Sequence, residues 1–582
     1  MTITSLIDFV DPHDSAAPRL RQAFGAPREL LVAHQLHEVR AVLDAVQAAA
    51  EQGAWVLGAL RYEAAPAFDA ALQTRPADGP LAWFAVYDEA MPWPETSEPP
   101  PEPTLHWQSR QERAQFDAAF AAIQQAIARG EFYQVNYTAQ LQATLEGGGA
   151  APARALFAAL QRAQPGGYAA YIDMGDEQLL SVSPELFFDW RGASLLTRPM
   201  KGTAPRGATP AQDAAQAEWL RSSPKERAEN VMIVDLLRND VSRIAQPFSV
   251  QVPALFHTQA LPAVWQMTSD VQARTRAGCS LAEVFAALFP CGSITGAPKV
   301  RAMQAIRALE AEPRGIYCGA IGVMRPGGAA TFNVPIRTVT LRGREARCGI
   351  GSGITSGAEA DSEWQEWRHK RAFLERASMP FELLETLALQ DGQLRHVSAH
   401  LQRMAGAAAH FGYRWDEAQA RQCLEQLAQT HPQGLWRLRL LLGAAGQFGA
   451  QAYAMEASAS EVLLRLAGHP LLEAHGEFVR FKTTRRAHYE AFTPSAPEVF
   501  DTVLWNERGE ITECTRGNVA MLIDGRWVTP SLACGLLAGV GRALALQEGR
   551  LSEAVVRVED VPRVQGWAFV NSLRGWIAAR LV

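Results

Sequence analysis

Cysteine is scarce in this chain, and the few cysteines form no motif. They stand at positions 279, 291, 318, 348, 423, 514 and 534, an odd number without a Cys-x-x-Cys pair. This pattern excludes a disulfide framework and a cysteine-rich zinc site, and it is typical of reduced thiols in the cytoplasm. The sequence therefore predicts a cytoplasmic protein.

Long apolar runs are also missing. No stretch of about 18 apolar residues is free of polar interruption, which excludes a membrane-spanning helix. The first residues, Met1–Asp8, contain an early acid and no basic segment. They do not predict a signal peptide.

Neither sign of charge dominates the 582 residues, because 55 Lys and Arg stand against 61 Asp and Glu. A nucleic-acid-binding surface and a polybasic membrane anchor are therefore not expected. Hydrophobic residues make up 48% and charged residues 20% of the chain, which is globular composition and excludes a disordered scaffold. At roughly 150 residues per domain, the length predicts about four domain-sized units.

Proline marks one boundary clearly. Residues 92–103 hold six prolines in twelve positions, so an extended connection is predicted over 92–104. A second boundary is expected where helical sequence around Trp364–Ser378 runs into Met379-Pro380. A new strand pattern follows it at Phe381–Leu387, and a helix is predicted around Leu401–Phe411.

The segment between these boundaries mixes helix and strand periods. Phe116, Phe120, Ile123 and Ile127 share a helical face that ends before Gly130. Further helices are predicted at 281–289 and from about 298, and strands at 317–323 and 337–341. The mixture indicates an α/β or α+β core.

Acids recur in pairs three residues apart. Glu226 and Glu229 form one pair, and Glu363 and Glu366 form the other. On a helix each pair shares a face, and two such faces together would suit a hard cation such as Mg²⁺. Taken alone, acid pairs of this kind are in most cases solvated helix faces.

Two glycine-rich segments change that balance. Residues 290–299, Pro-Cys-Gly-Ser-Ile-Thr-Gly-Ala-Pro-Lys, read as a small-residue turn entering a helix. Its backbone N–H groups and the positive end of the helix could hold a carboxylate. Residues 349–353, Gly-Ile-Gly-Ser-Gly, are interpreted as a second such turn.

Together these segments resemble the chorismate-utilising enzymes. This family includes anthranilate synthase component I, isochorismate and salicylate synthases, and aminodeoxychorismate synthase component I. The resemblance covers about residues 112–376, with several long motifs in the right order. It implies that the first part of the chain folds as a large two-sheet α/β sandwich.

The resemblance implies a magnesium site at the acid pairs. Glu229 and Glu366 would be ligands of Mg²⁺, with Glu226 and Glu363 in support through water. Mg²⁺ in proteins is usually held by few carboxylates plus substrate. The metal would therefore bridge to a carboxylate of chorismate.

It also implies a set of groups that bind the substrate. Arg337 and Tyr317 match the family's carboxylate-binding pair, and the planar fork of Arg suits a carboxylate. Lys370, four residues after Glu366, would add positive charge on the same helical face. Backbone groups would complete the cradle near three residues: Thr295, Gly296 and Gly351.

Two positions are expected to carry the chemistry. Glu185 corresponds to the family's general acid, which protonates the departing C4 hydroxyl and needs a raised pKa. Lys201 fills a position where anthranilate and isochorismate synthases have Ala and aminodeoxychorismate synthases have Lys. In the latter, the Lys attacks C2 of chorismate covalently and ammonia then adds at C4. The alternative is that Lys201 only binds a carboxylate.

Two glutamines bear on the external nucleophile. Gln134 stands where water-using relatives place a Lys base, and Gln cannot deprotonate water. Gln266 stands where anthranilate synthases carry His, a departure that fits an enzyme stopping at the amino-chorismate. Ammonia is therefore the expected nucleophile. The chain has no Gly-x-Cys-x-Gly turn, so a separate glutamine amidotransferase subunit is expected to supply it.

A second constellation occupies the last 200 or so residues. Its segments are 481–485, 511–519 and 529–542, and together they resemble fold-type IV pyridoxal-phosphate enzymes. The family includes branched-chain and D-amino-acid aminotransferases and 4-amino-4-deoxychorismate lyase. The resemblance implies that Lys482 forms the Schiff base with the cofactor aldehyde and that Glu513 faces the pyridine nitrogen.

The cofactor phosphate would be held by Arg403 and by backbone N–H groups of Gly539 and Val540 at a helix start. Arg574, in the C-terminal segment 571–575, is a candidate for binding a substrate carboxylate. In the lyase reaction Lys482, once displaced by the substrate amine, would act as base and acid. A shortened domain of this kind could also dimerise, so a homodimer is one possibility.

These observations predict an α+β or α/β protein with residues 1–91 and 105–377 forming the chorismate-binding part and 378–582 the pyridoxal-phosphate part. The expected function is 4-aminobenzoate synthesis in the folate pathway, by aminodeoxychorismate synthase and lyase activities. One alternative is an anthranilate- or salicylate-type synthase fused to an aminotransferase. Others are a non-catalytic C-terminal interaction module and a regulatory chorismate-binding protein.

Overall fold

The computed structural model describes residues 3–94, 103–207, 210–260 and 264–582. The chain divides into two compact units, Met1–Pro380 and Phe381–Val582. The Pro-rich connection predicted over 92–104 begins within a short strand, and its residues 95–102 lie outside the described residues. None of the helices in the described ranges combines the length and the apolar character needed to cross a bilayer.

The first unit is rich in strands. Its strands are β1 (Ser5–Phe9), β2 (Leu20–Phe24), β3 (Glu29–Ala33), β4 (Trp55–Leu60), β5 (Ala82–Tyr87), β6 (Met91–Pro92), β7 (Gln108–Ser109), β8 (Gln134–Thr144), β9 (Tyr168–Asp173), β10 (Gln178–Ser183), β11 (Leu186–Arg191), β12 (Ser194–Arg198), β13 (Met200–Pro205), β14 (Gln251–Ala260), β15 (Val264–Arg274), β16 (Gly296–Ala297), β17 (Ala320–Met324), β18 (Ala330–Asn333), β19 (Thr338–Arg342) and β20 (Glu345–Thr355). Its helices are α1 (Val39–Glu51), α2 (Arg113–Ala128), α3 (Ala150–Ala163), α4 (Pro210–Ser222), α5 (Pro224–Ser242), α6 (Leu281–Leu288), α7 (Lys299–Leu309), α8 (Ala360–Lys370) and α9 (Ala372–Ser378).

These strands form two ten-stranded antiparallel sheets among the described residues. One runs β16-β8-β20-β19-β10-β9-β1-β2-β6 with β7 beside β8, and the other runs β13-β15-β12-β11-β18-β17-β4-β5-β3 with β14 beside β15. Side chains of both sheets, including Ile7, Tyr168, Trp83 and Ile321, share one core. The sheets therefore pack face to face, which confirms the predicted two-sheet sandwich.

Helices cover the outer faces of the sandwich. Helices α1, α5 and α6 contribute to the core on the second sheet, and α2, α3, α7, α8 and α9 contribute to the core on the first. The predicted helix on Phe116 and Ile123 is α2, where Glu112 and Gln115 form a capping box. Gly130, with φ of 75°, follows its end as the sequence predicts.

The second unit contains two smaller sheets. Its strands are β21 (Leu383–Gln390), β22 (Gln393–Leu394), β23 (Leu435–Leu442), β24 (Phe448–Ala454), β25 (Glu461–Leu466), β26 (Val499–Trp505), β27 (Ile511–Cys514), β28 (Asn518–Ile523), β29 (Arg526–Pro530), β30 (Ser552–Ala554), β31 (Gly566–Asn571) and β32 (Gly575–Leu581). Its helices are α10 (Val397–Phe411), α11 (Glu417–Thr430), α12 (Glu477–Arg480) and α13 (Val540–Gln547).

A four-stranded sheet, β22-β21-β23-β24, packs its apolar face on α10 and α11. An eight-stranded sheet, β27-β26-β25-β32-β31-β28-β29-β30, holds the rest. It is mixed, since β25 pairs in parallel with both β26 and β32. Helix α13 packs on β31 through Ala545 and Ala568.

Candidate active sites

One face of β20 forms the floor of the first site. The glycines at 349, 351 and 353 alternate along the strand and therefore face the same side. Interpreting this segment as a turn was wrong, because it lies inside an 11-residue strand that pairs with β8 along its whole length. Glycine-rich sequence resembles a turn, but here the absent side chains leave room for neighbours.

Those neighbours approach the backbone closely. A Cβ added at Gly349 would lie 2.3 Å from Cδ1 of Tyr317. A Cβ added at Gly353 would lie 2.8 Å from both Lys201 Nζ and Gln134 Nε2. The bare strand face therefore brings together residues that the sequence analysis placed in the site.

Lys201 is presented by an irregularity in β13. The pairing of β13 with β15 shifts register between Met200 and Thr203, and bulges of this kind re-aim side chains. Gln266 Nε2 donates a hydrogen bond of 2.8 Å to the carbonyl of Gly202. Gln266 therefore holds the backbone from which Lys201 projects, a role that its sequence position did not indicate.

Gln134 lies on β8 beside Lys201 and is 0% exposed. Within the described residues neither its Nε2 nor its Oε1 has a hydrogen-bond partner. A buried amide without partners is costly. Its place next to a lysine amine is consistent with a group that hydrogen-bonds to a bound ligand.

The four predicted glutamates lie on two helices that face each other. Helix α5, capped by Ser223, carries Glu226 and Glu229, and α8 carries the pair at 363 and 366. Burial raises the pKa of Glu226, and the charges of Glu229 and Glu366 raise it further. Burial and the charge of Glu366 likewise raise the pKa of Glu363. The acids therefore repel one another in the absence of a cation.

Two lysines meet these acids. Lys201 Nζ lies 3.3 Å from Glu229 Oε2, and Lys370 Nζ lies 2.6 Å from Glu366 Oε1. Glu363 Oε2 is buried without a hydrogen-bond partner in the described chain. Across those same ranges, no three His, Cys, Asp or Glu side chains are gathered as a metal site. The donor set, all carboxylate oxygen with one orphaned atom, nevertheless fits Mg²⁺.

Helix α8 is docked on the floor strand. Trp367 Nε1 donates to Ser352 Oγ at 3.1 Å, and Lys370 Nζ donates to the carbonyl of Gly351 at 2.9 Å. The structure therefore places Lys370 against β20, a contact that the sequence did not predict, and beside Glu366 on the helical face that its spacing predicted.

Glu185 is buried in the first site, within electrostatic reach of Lys201. Burial raises its pKa to about 7, although hydrogen bonds from Ser293 and the Met200 backbone and the charge of Lys201 oppose this. Ser293 Oγ donates to Glu185 Oε1 at 2.7 Å. A carboxyl that keeps its proton near neutral pH can act as a general acid. Ser293 lies inside a motif that was singled out only for its backbone.

The segment 290–299 is partly strand. Gly292–Ile294 form a short 3₁₀ turn, and Gly296 then pairs with Val135 of β8. Thr295 is buried, and its carbonyl accepts from the backbone N–H of Asn136. These contacts attach Thr295 and Gly296 directly beside the strand that carries Gln134.

Tyr317 and Arg337 lie beside β20, near its residue Cys348. The Cys348 thiol is an electrostatic neighbour of both side chains, so both flank the same stretch of the strand. Arg337 donates to Gln164 Oε1, and burial lowers its pKa to about 10, with Arg376 adding to the effect. The Arg337 side chain contacts Gln164, the residue that follows α3. None of its contacts among the described residues is with Lys201.

The second site is built around Lys482. Burial lowers the pKa of its amine to about 7, and the charges of Arg486 and Arg403 lower it further. Burial also raises the pKa of Glu513 to about 7. Glu513 accepts hydrogen bonds from Tyr489 Oη at 2.7 Å and from the backbone N–H of Leu537 at 3.1 Å.

Arg403 lies beside the start of α13. Its Nη1 donates to the carbonyl of Ala538 at 3.1 Å, and Gly539 and Val540 follow directly. A Cβ at Gly539 would lie 1.9 Å from Asn518 Oδ1. A guanidinium next to a helix N-terminus is a phosphate-binding arrangement.

A neutral buried amine, a buried carboxyl and this phosphate cradle therefore fit pyridoxal phosphate. Lys482 supplies the amine, Glu513 the carboxyl, and Arg403 with the α13 N-terminus the cradle. The sequence motifs had implied each of these residues separately, and the structure places Lys482 within electrostatic reach of both Glu513 and Arg403.

Arg574 has a side-chain partner outside the cofactor cradle. Its guanidinium donates to Ser458 Oγ at 3.2 Å. Its loop is nonetheless packed on α13, because a Cβ at Gly541 would lie 2.5 Å from the backbone of Asn571. The motif is therefore close to the cradle, while the Arg574 side chain points to other partners.

Sequence reasoning missed several residues of this site. Tyr489 and Arg486 carry no motif signal beyond their closeness in the chain to Lys482. Glu385 had one available signal. It is the single acid among the core-facing positions of β21, which otherwise read Leu383, Leu387 and Leu389.

Comparison with known proteins gives the following matches. Residues 14–376 match the family described as chorismate binding enzyme, and residues 382–582 match the class IV amino-transferase family. The aminodeoxychorismate synthase component 1 of Klebsiella aerogenes is 42% identical over 263 residues, which are 45% of this chain and 57% of that protein. The chain thus spans little more than half the length of that curated relative.

Two solved structures resemble the first unit. Anthranilate synthase component I of Streptococcus pneumoniae superposes with a TM-score of 0.51 at 22% identity, covering 64% of this chain and 91% of that one. The menaquinone-specific isochorismate synthase of Escherichia coli gives a TM-score of 0.52 at 18% identity, covering 65% and 89%. At these identities the likeness shows the fold alone.

Proposed function

From the fact that this chain belongs to the chorismate binding enzyme family, we propose that it makes 4-aminobenzoate in two steps. The first unit converts chorismate and ammonia to 4-amino-4-deoxychorismate, and the second eliminates pyruvate from that compound. The observation that carries the proposal is the meeting of Lys201 and Gln134 over Gly353, since a lysine amine lies beside the glutamine that stands where relatives that use water have a base.

In the first unit, each bond that forms would be matched by a bond that breaks. Lys201 Nζ, without its proton, forms a bond to C2 of chorismate, the two ring double bonds move from C1–C2 and C5–C6 to C1–C6 and C4–C5, and the C4–O bond breaks. Glu185 gives its proton to the departing hydroxyl, which leaves as water. Ammonia then bonds to C4, and the C2–N bond breaks to release Lys201.

Four carboxylates would hold the metal in this unit: Glu226, Glu229, Glu363 and Glu366. Bound Mg²⁺ would supply positive charge for a substrate carboxylate. Tyr317, Arg337, Lys370 and the backbone near Thr295, Gly296 and Gly351 would bind the remaining anionic groups.

The second unit's class IV match implies pyridoxal phosphate. Lys482, Glu513, Arg403, Gly539 and Val540 would hold it, and the bound cofactor supplies an electron sink. Lys482 is neutral in part at neutral pH because burial and Arg486 lower its pKa. It can therefore take a proton from the substrate and return one to the leaving group. Arg574 would bind a substrate carboxylate.

Ammonia would come from a separate glutamine amidotransferase subunit, as the name component 1 of the Klebsiella relative suggests. Free ammonium at high concentration should replace that partner, whereas glutamine alone should not support turnover.

The test is product identification by mass. The purified chain with chorismate, Mg²⁺, pyridoxal phosphate and ammonium should form 4-aminobenzoate and pyruvate. Omitting pyridoxal phosphate should leave 4-amino-4-deoxychorismate. Formation of 2-aminobenzoate alone would refute the proposal, and an aminated keto acid as product would favour an aminotransferase.

A further inference from the structure

A charged residue interrupts the core-facing side of β21. Positions 383, 387 and 389 are leucines packed against α10 and α11, but position 385 is a glutamate that is 1% exposed. A buried carboxylate at an apolar position is costly unless it is paired and hydrogen-bonded. Its pKa is nonetheless lowered to about 2, because Arg403 and His400 outweigh burial.

The pairing is complete on the carboxylate's side. Arg403 Nε lies 2.8 Å from Glu385 Oε1, and its Nη2 lies 2.6 Å from Oε2. His400 Nδ1 also lies 2.6 Å from Oε2. Within the described residues His400 Nε2 is buried without a partner, so the contact of this ring is directed to Glu385.

This arrangement fixes one edge of the guanidinium and leaves the other edge open. Arginine has five N–H donors, of which two point to Glu385 and one to the carbonyl of Ala538. One N–H group remains on Nη1 and one on Nη2, and Nη1 is the nitrogen that contacts Ala538, directly before Gly539 and Val540. The salt bridge therefore orients Arg403 without consuming its capacity to bind an anion.

We propose that Glu385, held by His400, is a positioning residue that presents Arg403 to the phosphate of the cofactor. The inference rests on the proposed binding of pyridoxal phosphate by the second unit. It assigns to β21 and α10 a role that no motif of the sequence indicated.

Comparing pyridoxal phosphate with pyridoxal tests this role. Both aldehydes can react with Lys482, but only the first carries the phosphate that Arg403 would bind. Cofactor-free full chain is titrated with each, and the absorbance of the Lys482 adduct gives the two Kd values. Glu385→Gln should weaken pyridoxal phosphate by about 10- to 100-fold, the loss of a well-placed charge-assisted hydrogen bond. The Kd of pyridoxal should change less than about threefold.

Two further variants distinguish an effect on the phosphate from unfolding and from the loss of an unrelated acid. Glu385→Asp retains the buried charge, so the fold is preserved if an unpaired Arg403 unfolds the first variant, and it withdraws the carboxylate by one methylene. It should also lower the preference for the phosphorylated aldehyde. Glu417→Gln, which changes an exposed acid paired with Arg421 in the same unit, should leave both Kd values unchanged.

The outcomes distinguish failure of the proposed cofactor binding from failure of the positioning role of Glu385. If neither aldehyde binds the wild-type chain, the proposed function of this unit fails, and the inference with it. If the wild type binds both and each Glu385 variant weakens them equally, or weakens neither, Glu385 does not act through the phosphate. A selective loss for pyridoxal phosphate supports its positioning role.

Discussion

Each unit contains one largely buried lysine that we propose to react, and the two lysines differ in the charges around them. Lys201 has the Glu229 carboxylate 3.3 Å from its amine. Lys482 has two arginines nearby, Arg486 and Arg403, and with burial they outweigh the acids Glu385 and Glu513 and lower its pKa to about 7. An amine is nucleophilic only without its proton. Lys482 is therefore prepared for reaction by its surroundings, whereas Lys201 has to leave a carboxylate contact before it attacks.

The largest expected effect separates the two lysines completely. Lys201→Ala should reduce amination of chorismate by about 10³-fold or more, because it removes the amine that lies over Gly353. Supplied 4-amino-4-deoxychorismate should still be converted. Lys482→Ala should do the reverse and accumulate that intermediate.

Mixing the two variants provides the control. Because each retains one intact site, the mixture should restore 4-aminobenzoate, measured by chromatography. Unchanged amination in Lys201→Ala would leave that residue with only a carboxylate-binding role.

The next effect concerns the space in which Lys201 lies. Gly353→Ala would place a methyl group 2.8 Å from both Lys201 Nζ and Gln134 Nε2. Small displacements of reacting groups cost up to about 10²-fold in rate, so kcat/KM for amination should fall by about 10- to 100-fold while lyase turnover is kept. Gly357→Ala, where a Cβ meets nothing within 4 Å, is the matched control.

The pH profiles should run in opposite directions. Glu185 must be protonated to act as acid, and its pKa is raised to about 7, so amination measured at a constant concentration of free ammonia should fall with pH above that value, by up to about tenfold per pH unit. Lys482 must be neutral, and its pKa is lowered to about 7, so adduct formation with pyridoxal phosphate should rise with pH and level off above about 8. Stopped-flow absorbance and initial rates measure the two. Profiles with the same slope would contradict the comparison.

The smallest effect concerns the support of Lys201. Gln266→Leu removes the 2.8 Å hydrogen bond to the Gly202 carbonyl, a loss of about 1 kcal/mol. Amination kcat should fall about fivefold with unchanged lyase activity, in steady-state assays of each step. Gln251→Leu, at an exposed position of β14, should change neither rate. An equal loss in both variants would assign the effect to general destabilisation.

Local patterns predicted much of the fold. Helix α2 followed from the apolar spacing of Phe116 and Ile123, and the acid pairs were placed on helices by their spacing of three. These features depend on residues close together in the chain. Strand β20 was misread because Gly-Ile-Gly-Ser-Gly is locally typical of a turn. Its formation as a strand depends on pairing with β8, which lies far away in sequence.

The sites show the same division. Motifs identified Lys482, Glu513 and Arg403 individually, since each belongs to a short recognisable segment. The contact between Arg403 and Glu385 depends on the packing of α10 against β21, and the orphaned amide of Gln134 depends on burial. Neither property can be read from spacing alone.

The bare face of β20 has a consequence for how such a site can diverge. The glycines at 349, 351 and 353 have no side chain that a mutation could shorten. Every substitution at these positions adds atoms to the space next to the strand. New selectivity must therefore arise at the neighbouring side chains, such as Gln134 on the adjoining strand β8, Lys201 and Tyr317. The glycine face of β20 therefore stays constant among variants of such a site, and the side chains that surround it determine the chemistry.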